Sequence, residues 1–386
     1  MDKLYFSEEH LMLRDMVRDF AINEVRPISK EIDKKSIFPK ENIKKMAELG
    51  LMGIPWDTKY SGTGMDTRGL VIAIEEIGKE CASTAATMMA HTSLGTAPIA
   101  IFGNDEQKKK YLPLLASGKI LGAFGLTEPE AGSDAGNTQT RAIKHNDEYI
   151  INGQKVFCTN AGEAGTIIIT AVIEDNKVDK GIGAFIIDVD TKGLKIGEPE
   201  NKMGWKGSDT RSVYFEDMKV SKNALLGNPS KGFKQFLQTL TSGRITIGAL
   251  SLGTAQGAYE RAVKYSFERE AFSKPINKFQ GVNFKLADMA LKIEASKHLV
   301  YNAAWRKDND LNVIKEAAMA KLFSSESAMN ICTEAIQVLG GFGYIHEYDV
   351  ERFFRDAKIL EIGEGTSEIQ RIIIAREILK QYQPNE

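Results

Sequence analysis

Several features of membrane and secreted proteins are missing from the sequence. No run of about 18 apolar residues occurs, so no membrane-spanning helix is predicted. Residues 1–25 mix acidic, basic and apolar side chains and lack the uninterrupted apolar segment of a secretory signal. The chain is therefore expected in the cytoplasm, or in the mitochondrial matrix if it is an already processed chain.

Cysteine is scarce, and neither sign of charge is in clear excess. Cys81, Cys158 and Cys332 lie far apart, form no CxxC pair and have no histidine at zinc-ligand spacing, so they are predicted to be reduced thiols without a metal. The 50 basic residues nearly balance the 52 acidic ones, at a formal net charge of −2. Such a balance gives no reason to expect nucleic acid or a membrane surface as a partner.

The motifs of several common enzyme classes are also absent. The sequence contains no GxGxxG fingerprint, no GxxxxGK[ST] loop, no HExxH pair and no GxSxG elbow. The nearest glycine cluster, at Gly181–Ile186, lacks the third glycine. The five histidines are scattered, so neither a histidine metal site nor a histidine-based triad is predicted. A nicotinamide-type Rossmann site is not expected.

Hydrophobic patterns divide the chain into three regions. Residues 1–120 carry apolar side chains at three- and four-residue spacing, which predicts helices. Residues 121–228 hold short apolar runs separated by glycine-containing turns, as at Asn152-Gly153 and Gly181–Gly183, which predicts a compact antiparallel β domain. Residues 229–386 contain few prolines and long helical repeats, which predicts a helical bundle. The predicted fold class is mainly α with a central β domain.

Two segments combine glycine with small polar side chains. They are Gly125–Asp134 and Gln337–Tyr344. Backbone N–H groups and hydroxyls of this kind can bind an anion or a heterocycle such as a flavin. From the residues alone, a polar turn in the first segment and a helix C-cap followed by a turn in the second explain the pattern as well.

A third segment places a carboxylate on a permissive backbone. Glu364 stands between Gly363 and Gly365, just before a helix that Thr366 or Ser367 can cap. Taken in isolation, a solvated loop acid is the simpler interpretation of Glu364.

In combination, these segments resemble the acyl-CoA dehydrogenase family. The resemblance covers nearly the whole chain and is strongest for the short-chain, butyryl-CoA type. Further blocks that agree in order and spacing are Asn152–Asn160, Lys202–Arg211, Phe215–Asp217, Gly243-Arg244 and Arg269–Phe272. The resemblance implies an N-terminal α-helical domain over 1–120, a middle antiparallel β-barrel domain over 121–228 for flavin and substrate, and a C-terminal four-helix bundle over 229–386 with a catalytic glutamate.

The resemblance also implies FAD as the cofactor and names the residues that contact it. The expected FAD contacts are Phe124, Leu126, Thr127, Gly132, Ser133, Phe157, Thr159, Arg269, Phe272, Gln280, Gln337, Gly341, Thr366 and Glu368. Those that match positions reaching a neighbouring subunit's FAD are Arg269, Phe272, Gln280, Gln337 and Gly341. A homo-oligomer, most often a tetramer in the family, follows. The expected substrate contacts are Ser133, Thr241, Arg244, Gly363 and Gly365.

The remaining implication of the resemblance is the reaction. Glu364 matches the family's base, which removes the α-proton of an acyl-CoA while the β-hydride passes to the flavin, giving a trans-2-enoyl-CoA. An electron-transferring flavoprotein is expected to reoxidise the flavin. A carboxylate can serve here only if the site raises its pKa and holds the thioester carbonyl. Either oxidation or enoyl-CoA reduction can be the direction in the cell.

Three positions depart from the family pattern. Gly363 stands where short- and medium-chain relatives commonly have tyrosine, which predicts room for a branched or aryl-substituted acyl group. Thr241 replaces a common aspartate, and Ser273 replaces a common glycine. The alternatives are therefore a dehydrogenase or enoyl-CoA reductase for bulkier acyl groups, an acyl-CoA oxidase, and a non-catalytic flavin-binding homologue.

Overall fold

Residues 2–174 and 181–383 are described by a computed structural model. The first region is helical, as predicted. Its helices are α1 (Asp2–Tyr5), α2 (Glu8–Phe20), α3 (Arg26–Lys35), α4 (Lys40–Glu48), α5 (Thr67–Gly78), α6 (Ala82–Ala90), α7 (Ala97–Phe102) and α8 (Asp105–Ala116). Three of these helices, α2, α5 and α8, have a side-chain N-cap, at Ser7, Asp66 and Asn104 respectively. Each capping side chain accepts a hydrogen bond from the backbone N–H three residues on.

The second region forms one sheet. Its strands are β1 (Leu121–Gly125), β2 (Arg141–His145), β3 (Glu148–Thr159), β4 (Ala164–Glu174), β5 (Gly181–Asp188), β6 (Leu194–Pro199), β7 (Thr210–Ser221) and β8 (Leu225–Leu226). Neighbours follow the order β6-β7-β3-β2-β4-β5-β8, with β1 beside β4. The prediction of an antiparallel domain describes most neighbours, but β1 and β2 each pair with β4 in parallel.

Two glycine sites predicted as turns lie inside strands. Gly153 has a φ of 142° within β3, where the register with β7 shifts between Ile151 and Gly153. A Cβ there would meet Thr140 at 2.6 Å, so this glycine serves a β-bulge and a close strand contact. Gly181–Gly183 begins β5, with Gly183 paired to Ala171. The turn prediction is wrong at both sites.

The third region is a bundle of long helices around α9 (Gly232–Glu268). A two-stranded hairpin, β9 (Glu270–Ala271) and β10 (Lys274–Pro275), follows it. The remaining helices are α10 (Gln280–Asp308), α11 (Ile314–Leu339), α12 (Val350–Lys358) and α13 (Ser367–Gln381). Among the described residues, no helix combines the length and the apolar content that a membrane crossing needs.

Helix α9 of the bundle packs against both other regions. It approaches α5 so closely that a Cβ on Gly253 would overlap the Glu75 carbonyl oxygen. One hydrophobic core runs from α2, α5 and α6 into α9, α10 and α11, and a separate core fills the sheet. The predicted fold class is confirmed, whereas the domain boundaries after residues 120 and 228 stay predictions.

Candidate active site

One face of α9 connects the two halves of the candidate site. Near the start of α9, Phe236 stacks on Phe124 of β1 with ring centroids 4.3 Å apart. Gly243 follows seven residues later, on the same face, and a Cβ there would overlap Oε2 of Glu364. At 1.5 Å per residue, the two contacts lie about 10 Å apart along the helix. The first predicted flavin segment and the predicted base therefore flank the same helix face.

The backbone that carries Glu364 is left-handed. Its φ is 54°, and the φ of Gly365 is 95°. A non-glycine residue in this region costs about 1–3 kcal/mol and persists where surrounding contacts hold it. Thr366, rather than Ser367, is the N-cap of α13, since its hydroxyl accepts from the N–H of Ile369 at 3.4 Å. The capped helix fixes one end of the loop.

The carboxylate of Glu364 is desolvated although its residue is partly exposed. Both of its oxygens are buried and have no hydrogen-bond partner. Burial raises the pKa of Glu364 to about 7, and the positive charges of Arg244 and Lys321 oppose that rise. A solvated loop acid does not fit these observations. At neutral pH such a group can both accept and hold a proton, which suits a general base.

Two of the predicted substrate residues lie together on α9. Arg244 is buried, and its Nη1 donates to the Thr241 hydroxyl at 3.3 Å, while its Nε has no partner. Burial lowers the pKa of Arg244 to about 10, with Glu364 opposing the decrease, so the guanidinium stays charged. Gly363 and Gly365 flank Glu364 on the facing loop. Arg244, Gly363 and Gly365 are thus near the carboxylate, and Thr241 contacts Arg244.

The Gly125–Asp134 segment lies beside the end of β3, which carries the predicted FAD contacts Phe157 and Thr159. The N–H of Val156 donates to the carbonyl of Thr127 at 2.8 Å, which joins the Gly125–Asp134 segment to the end of β3. The Phe157 ring is 64% exposed, with a φ of 57°. In the Gly125–Asp134 segment, Gly132 has no atom within 4 Å of an added Cβ. An exposed ring and an open glycine loop form a surface that a planar heterocycle can cover.

The other predicted FAD contacts near these segments are exposed or partly buried. Ser133 is exposed, and Leu126 and Thr159 are partly buried. At the start of α13, Glu368 is exposed, and a hydrogen bond from its own backbone N–H, with further help from Thr366, lowers the pKa of its carboxyl. The structure therefore leaves these groups available to a ligand.

A buried ion pair beneath the flavin segment escaped the sequence analysis. Nζ of Lys155 lies 2.6 Å from Oε1 of Glu128, and both side chains are almost completely buried. Lys155 also donates to the carbonyl of Leu126 at 3.2 Å and to the Thr170 hydroxyl at 3.0 Å. Burial would raise the pKa of Glu128, but the hydrogen bond from Lys155 and other donors lower it overall. The pair anchors the segment to the sheet.

A second group of predicted FAD residues lines a surface cavity of about 440 Å³. Arg269, Gln337 and Gly341 border it, together with Tyr265 and Phe342, which the sequence analysis missed. The Arg269 guanidinium lies 5.7 Å from the centre of the Phe342 ring. No residue of the Glu364 loop or of Gly125–Asp134 lines the cavity. Within one chain the two groups are thus separate.

The end of α11 and the hairpin shape the neighbourhood of this cavity. Gly340 is the C-cap of α11 with a φ of 60°, as the helix-cap interpretation predicted. Phe272 lies in the β9–β10 hairpin and is 90% exposed, and Gln280 begins α10 and is also exposed. Neither lines the cavity. Both residues are therefore accessible to solvent and lie outside this cavity in the single chain.

Three family models match successive parts of the chain. The acyl-CoA dehydrogenase N-terminal domain matches residues 7–119, the middle domain residues 123–218, and the C-terminal domain residues 230–379. These matches, together with the desolvated carboxylate of Glu364, place the protein in the class of flavin-dependent oxidoreductases.

Curated relatives agree over almost their full lengths. The chain is 52% identical to the probable acyl-CoA dehydrogenase YngJ of Bacillus subtilis, covering 97% of this chain and 99% of the relative. It is 46% identical to the short-chain specific acyl-CoA dehydrogenase of Clostridium acetobutylicum, at the same coverage. It is 45% identical to the 3-(aryl)acrylate reductase of Clostridium sporogenes, covering 98% of this chain and 100% of the relative.

A solved structure extends the agreement to three dimensions. Butyryl-CoA dehydrogenase from Megasphaera elsdenii is 42% identical with a TM-score of 0.94, covering 97% of this chain and 99% of the solved one. The chain belongs to the acyl-CoA dehydrogenase family. It is an oxidoreductase that acts on the CH–CH bond of an acyl-CoA and uses FAD.

Proposed function

We propose that this protein oxidises a short-chain acyl-CoA to the trans-2-enoyl-CoA, with Glu364 as the base that removes the α-proton. The observation that carries the proposal is the carboxylate of Glu364, with both oxygens buried and unpartnered and a pKa raised to about 7 by burial. A thioester α-proton is too weak an acid for an ordinary solvated glutamate. Desolvation makes the carboxylate a stronger base.

The residues around Glu364 have distinct roles in this proposal. The backbone N–H of Glu364 donates to the thioester carbonyl and stabilises the charge that develops there as the α-proton leaves. Gly243 provides the space in which the carboxylate lies against α9. The buried charge of Arg244 keeps part of the Glu364 population ionised. Bound FAD supplies the acceptor for the β-hydride.

The described surface fits that cofactor. We assign its flavin end to the side-by-side segments that contain Thr127, Ser133 and Phe157, and the loop at Thr366. The cavity at Arg269 and Gln337 suits the adenine dinucleotide end of a neighbouring subunit's FAD, since it combines a guanidinium, an amide and exposed glycine backbone. For the other predicted FAD contacts, we keep the roles that the family resemblance implies. Two highly exposed phenylalanines, Phe157 and Phe272, agree with burial by cofactor and partner subunit.

The assembly and the electron partner follow from the same assignment. We propose a homotetramer whose reduced cofactor is reoxidised by an electron-transferring flavoprotein. Cys81, Cys158 and Cys332 are free and buried. Thiols that form no disulfide suit a reducing compartment, which is the cytoplasm, or the mitochondrial matrix for a processed chain.

A second candidate function has one specific observation in its favour. A Cβ on Gly363 would meet only the Ile359 carbonyl oxygen, at 3.5 Å, so the backbone has room for a side chain that is absent here. The resulting space beside Glu364 suits a branched or aryl-substituted acyl group. One relative, 45% identical to this chain, is a 3-(aryl)acrylate reductase. On this alternative, the enzyme oxidises a bulky acyl-CoA or reduces the corresponding enoyl-CoA.

Anaerobic titration of the purified flavoprotein with butyryl-CoA and 3-phenylpropanoyl-CoA tests both functions. The proposal predicts faster loss of visible flavin absorbance with butyryl-CoA, and a matching yield of enoyl-CoA. Faster reduction by the aryl thioester would favour the second candidate. Spectral change with neither, in flavin-loaded protein, would favour a non-catalytic homologue. Stoichiometric peroxide in air, without a flavoprotein acceptor, would indicate an oxidase.

Gly363→Tyr is expected to narrow the acyl specificity. The ring would occupy the space next to the α and β carbons, so reduction by the aryl thioester should fall at least about tenfold relative to butyryl-CoA. The ratio of the two second-order flavin-reduction rate constants measures this effect. An unchanged ratio in a folded, FAD-loaded variant would exclude Gly363 as a specificity determinant.

Gly243→Ala is expected to fold and yet be a poor catalyst. The added methyl would overlap Oε2 of Glu364 and push the carboxylate aside. Such a displacement can lower the rate of flavin reduction by up to about 10²-fold, while alanine favours the helix by about 1 kcal/mol. Gly69→Ala in α5 is the control, because its nearest neighbours are side-chain atoms at 3.3 Å. Equal rates for both variants would contradict the placement of the base.

A further inference from the structure

A buried lysine contacts the loop that carries Glu364. Lys321 lies on α11 with its side chain fully buried, and its Nζ donates to the carbonyl of Gly365 at 2.8 Å. Nε2 of Gln370, on α13, donates to the same carbonyl at 2.8 Å and to the Glu364 carbonyl at 3.4 Å. Two side chains from different helices therefore converge on the left-handed turn that aims the carboxylate.

This arrangement is costly for a lysine whose role is packing alone. Among the described residues, Lys321 has no carboxylate within ion-pair distance, and its hydrogen bond is to a backbone oxygen. An ammonium buried without a paired charge is unfavourable. Burial lowers the pKa of Lys321 to about 8, while Glu364 and more distant carboxylates oppose the decrease. The Lys321 ammonium thus contacts the turn in which the proposed base, Glu364, has a left-handed φ.

We propose that Lys321 is a positioning residue for proton abstraction: with Gln370 it holds the left-handed turn at Glu364-Gly365, and its charge acts on the carboxylate. The inference rests on the proposed role of Glu364. It separates two contributions. The hydrogen bonds fix where the carboxylate lies, and both Lys321 and Gln370 provide them. The charge sets how readily the carboxylate ionises, and of these two only Lys321 provides it.

The charged groups that face Glu364 come from two helices packed against its loop. Arg244 approaches from α9 and Lys321 from α11, and both lower the pKa of the carboxyl. Arg376 on α13 acts on Arg244, and Glu361 and Glu326 act on Lys321. Removing the Lys321 charge leaves Arg244 as the remaining cation on Glu364. The pKa of Glu364 must then rise, so a smaller fraction is ionised at neutral pH.

The test is the pH dependence of anaerobic flavin reduction by butyryl-CoA, at low substrate, in FAD-loaded tetramers. In Lys321→Met, the ascending limb is expected to move up by about one pH unit, and the limiting rate to fall on the order of tenfold. In Gln370→Leu, the rate should fall while the limb stays at its wild-type position. Lys321→Arg, which keeps charge and donor, should restore the limb.

Controls separate this effect from loss of structure. Lys79→Met removes a partly buried lysine at the C-cap of α5, next to Gly257 of α9 and far along that helix from Gly243. Its carboxylate partner, Glu76, keeps Arg18, so the pH profile of this variant should match wild type. If Lys321→Met does not fold, Gln370→Leu still tests the positioning role through its rate. An unchanged limb in Lys321→Met, or an unchanged rate in Gln370→Leu, would overturn the inference.

Failure of this inference can be distinguished from failure of the proposed role of Glu364. Near-normal flavin reduction by Glu364→Gln would remove the proposed function itself. Loss of reduction in Glu364→Gln combined with a wild-type profile in Lys321→Met would leave Glu364 as the base and overturn only the role of Lys321.

Discussion

Glu364→Gln should retain FAD and lose flavin reduction by butyryl-CoA. The amide has nearly the same shape as the carboxyl but cannot accept the α-proton, and loss of a general base typically costs about 10²–10⁴-fold. Because both oxygens of Glu364 lack hydrogen-bond partners, the substitution breaks no contact that holds the fold. Rapid mixing under anaerobic conditions gives the rate, and the visible spectrum gives the FAD content.

A variant with unchanged structure and lost chemistry is the signature of a catalytic group. FAD content and thermal unfolding should therefore match wild type. A flavin-loaded Glu364→Gln protein reduced at near the wild-type rate would show that another group removes the proton.

Lys155→Met should strongly destabilise the middle domain. It leaves the Glu128 carboxylate buried without its cation, and breaking a buried pair in this way typically costs about 3–5 kcal/mol. The contact that anchors the Leu126 carbonyl is lost as well, so FAD should dissociate more readily. Urea unfolding at fixed protein and FAD concentrations, with FAD release followed by fluorescence, measures both effects.

Two further variants test whether the buried charge is the cause. Lys195→Met removes the cation of an exposed pair with Glu216, and such pairs contribute about 0–1 kcal/mol. The double variant Lys155→Met/Glu128→Leu should recover part of the lost stability, because no unpaired charge remains. Equal, small losses in Lys155→Met and Lys195→Met would contradict the assigned importance of the buried pair.

The broad architecture could be predicted because its signals are local. Long proline-poor helical repeats specify α9 to α11, and short apolar runs specify β4 and β5. The two mistaken turns, at Asn152-Gly153 and Gly181–Gly183, have a physical reason. Glycine there allows close contacts with Thr140 and with Ile173, and only the neighbouring strand reveals that requirement. The parallel pairing of β1 and β2 with β4 is a long-range choice of the same kind.

The candidate site could be predicted in part for the same reason. Two flanking glycines mark Glu364 in the sequence, and the family resemblance marks the flavin segments. Lys321 and Lys155 escaped because a lysine is ordinarily solvated and their partners lie 44 and 27 residues away. Lys321 does carry one signal, since it shares the buried stripe of α11 with Ala317 and Ser324. A lysine in phase with small buried residues is predicted to lie on the buried face of the helix, where lysine is rare unless it is paired.

The most direct test of the account is the pH dependence of wild-type flavin reduction by butyryl-CoA at low substrate, without oxygen. Under these conditions the rate reports the ionisation of the free enzyme. Burial raises the pKa of Glu364 to about 7, so the rate should rise with pH through neutrality, following the ionised carboxylate. A rate that is flat or falls through neutrality, in protein that keeps its FAD, would contradict a desolvated glutamate as the base.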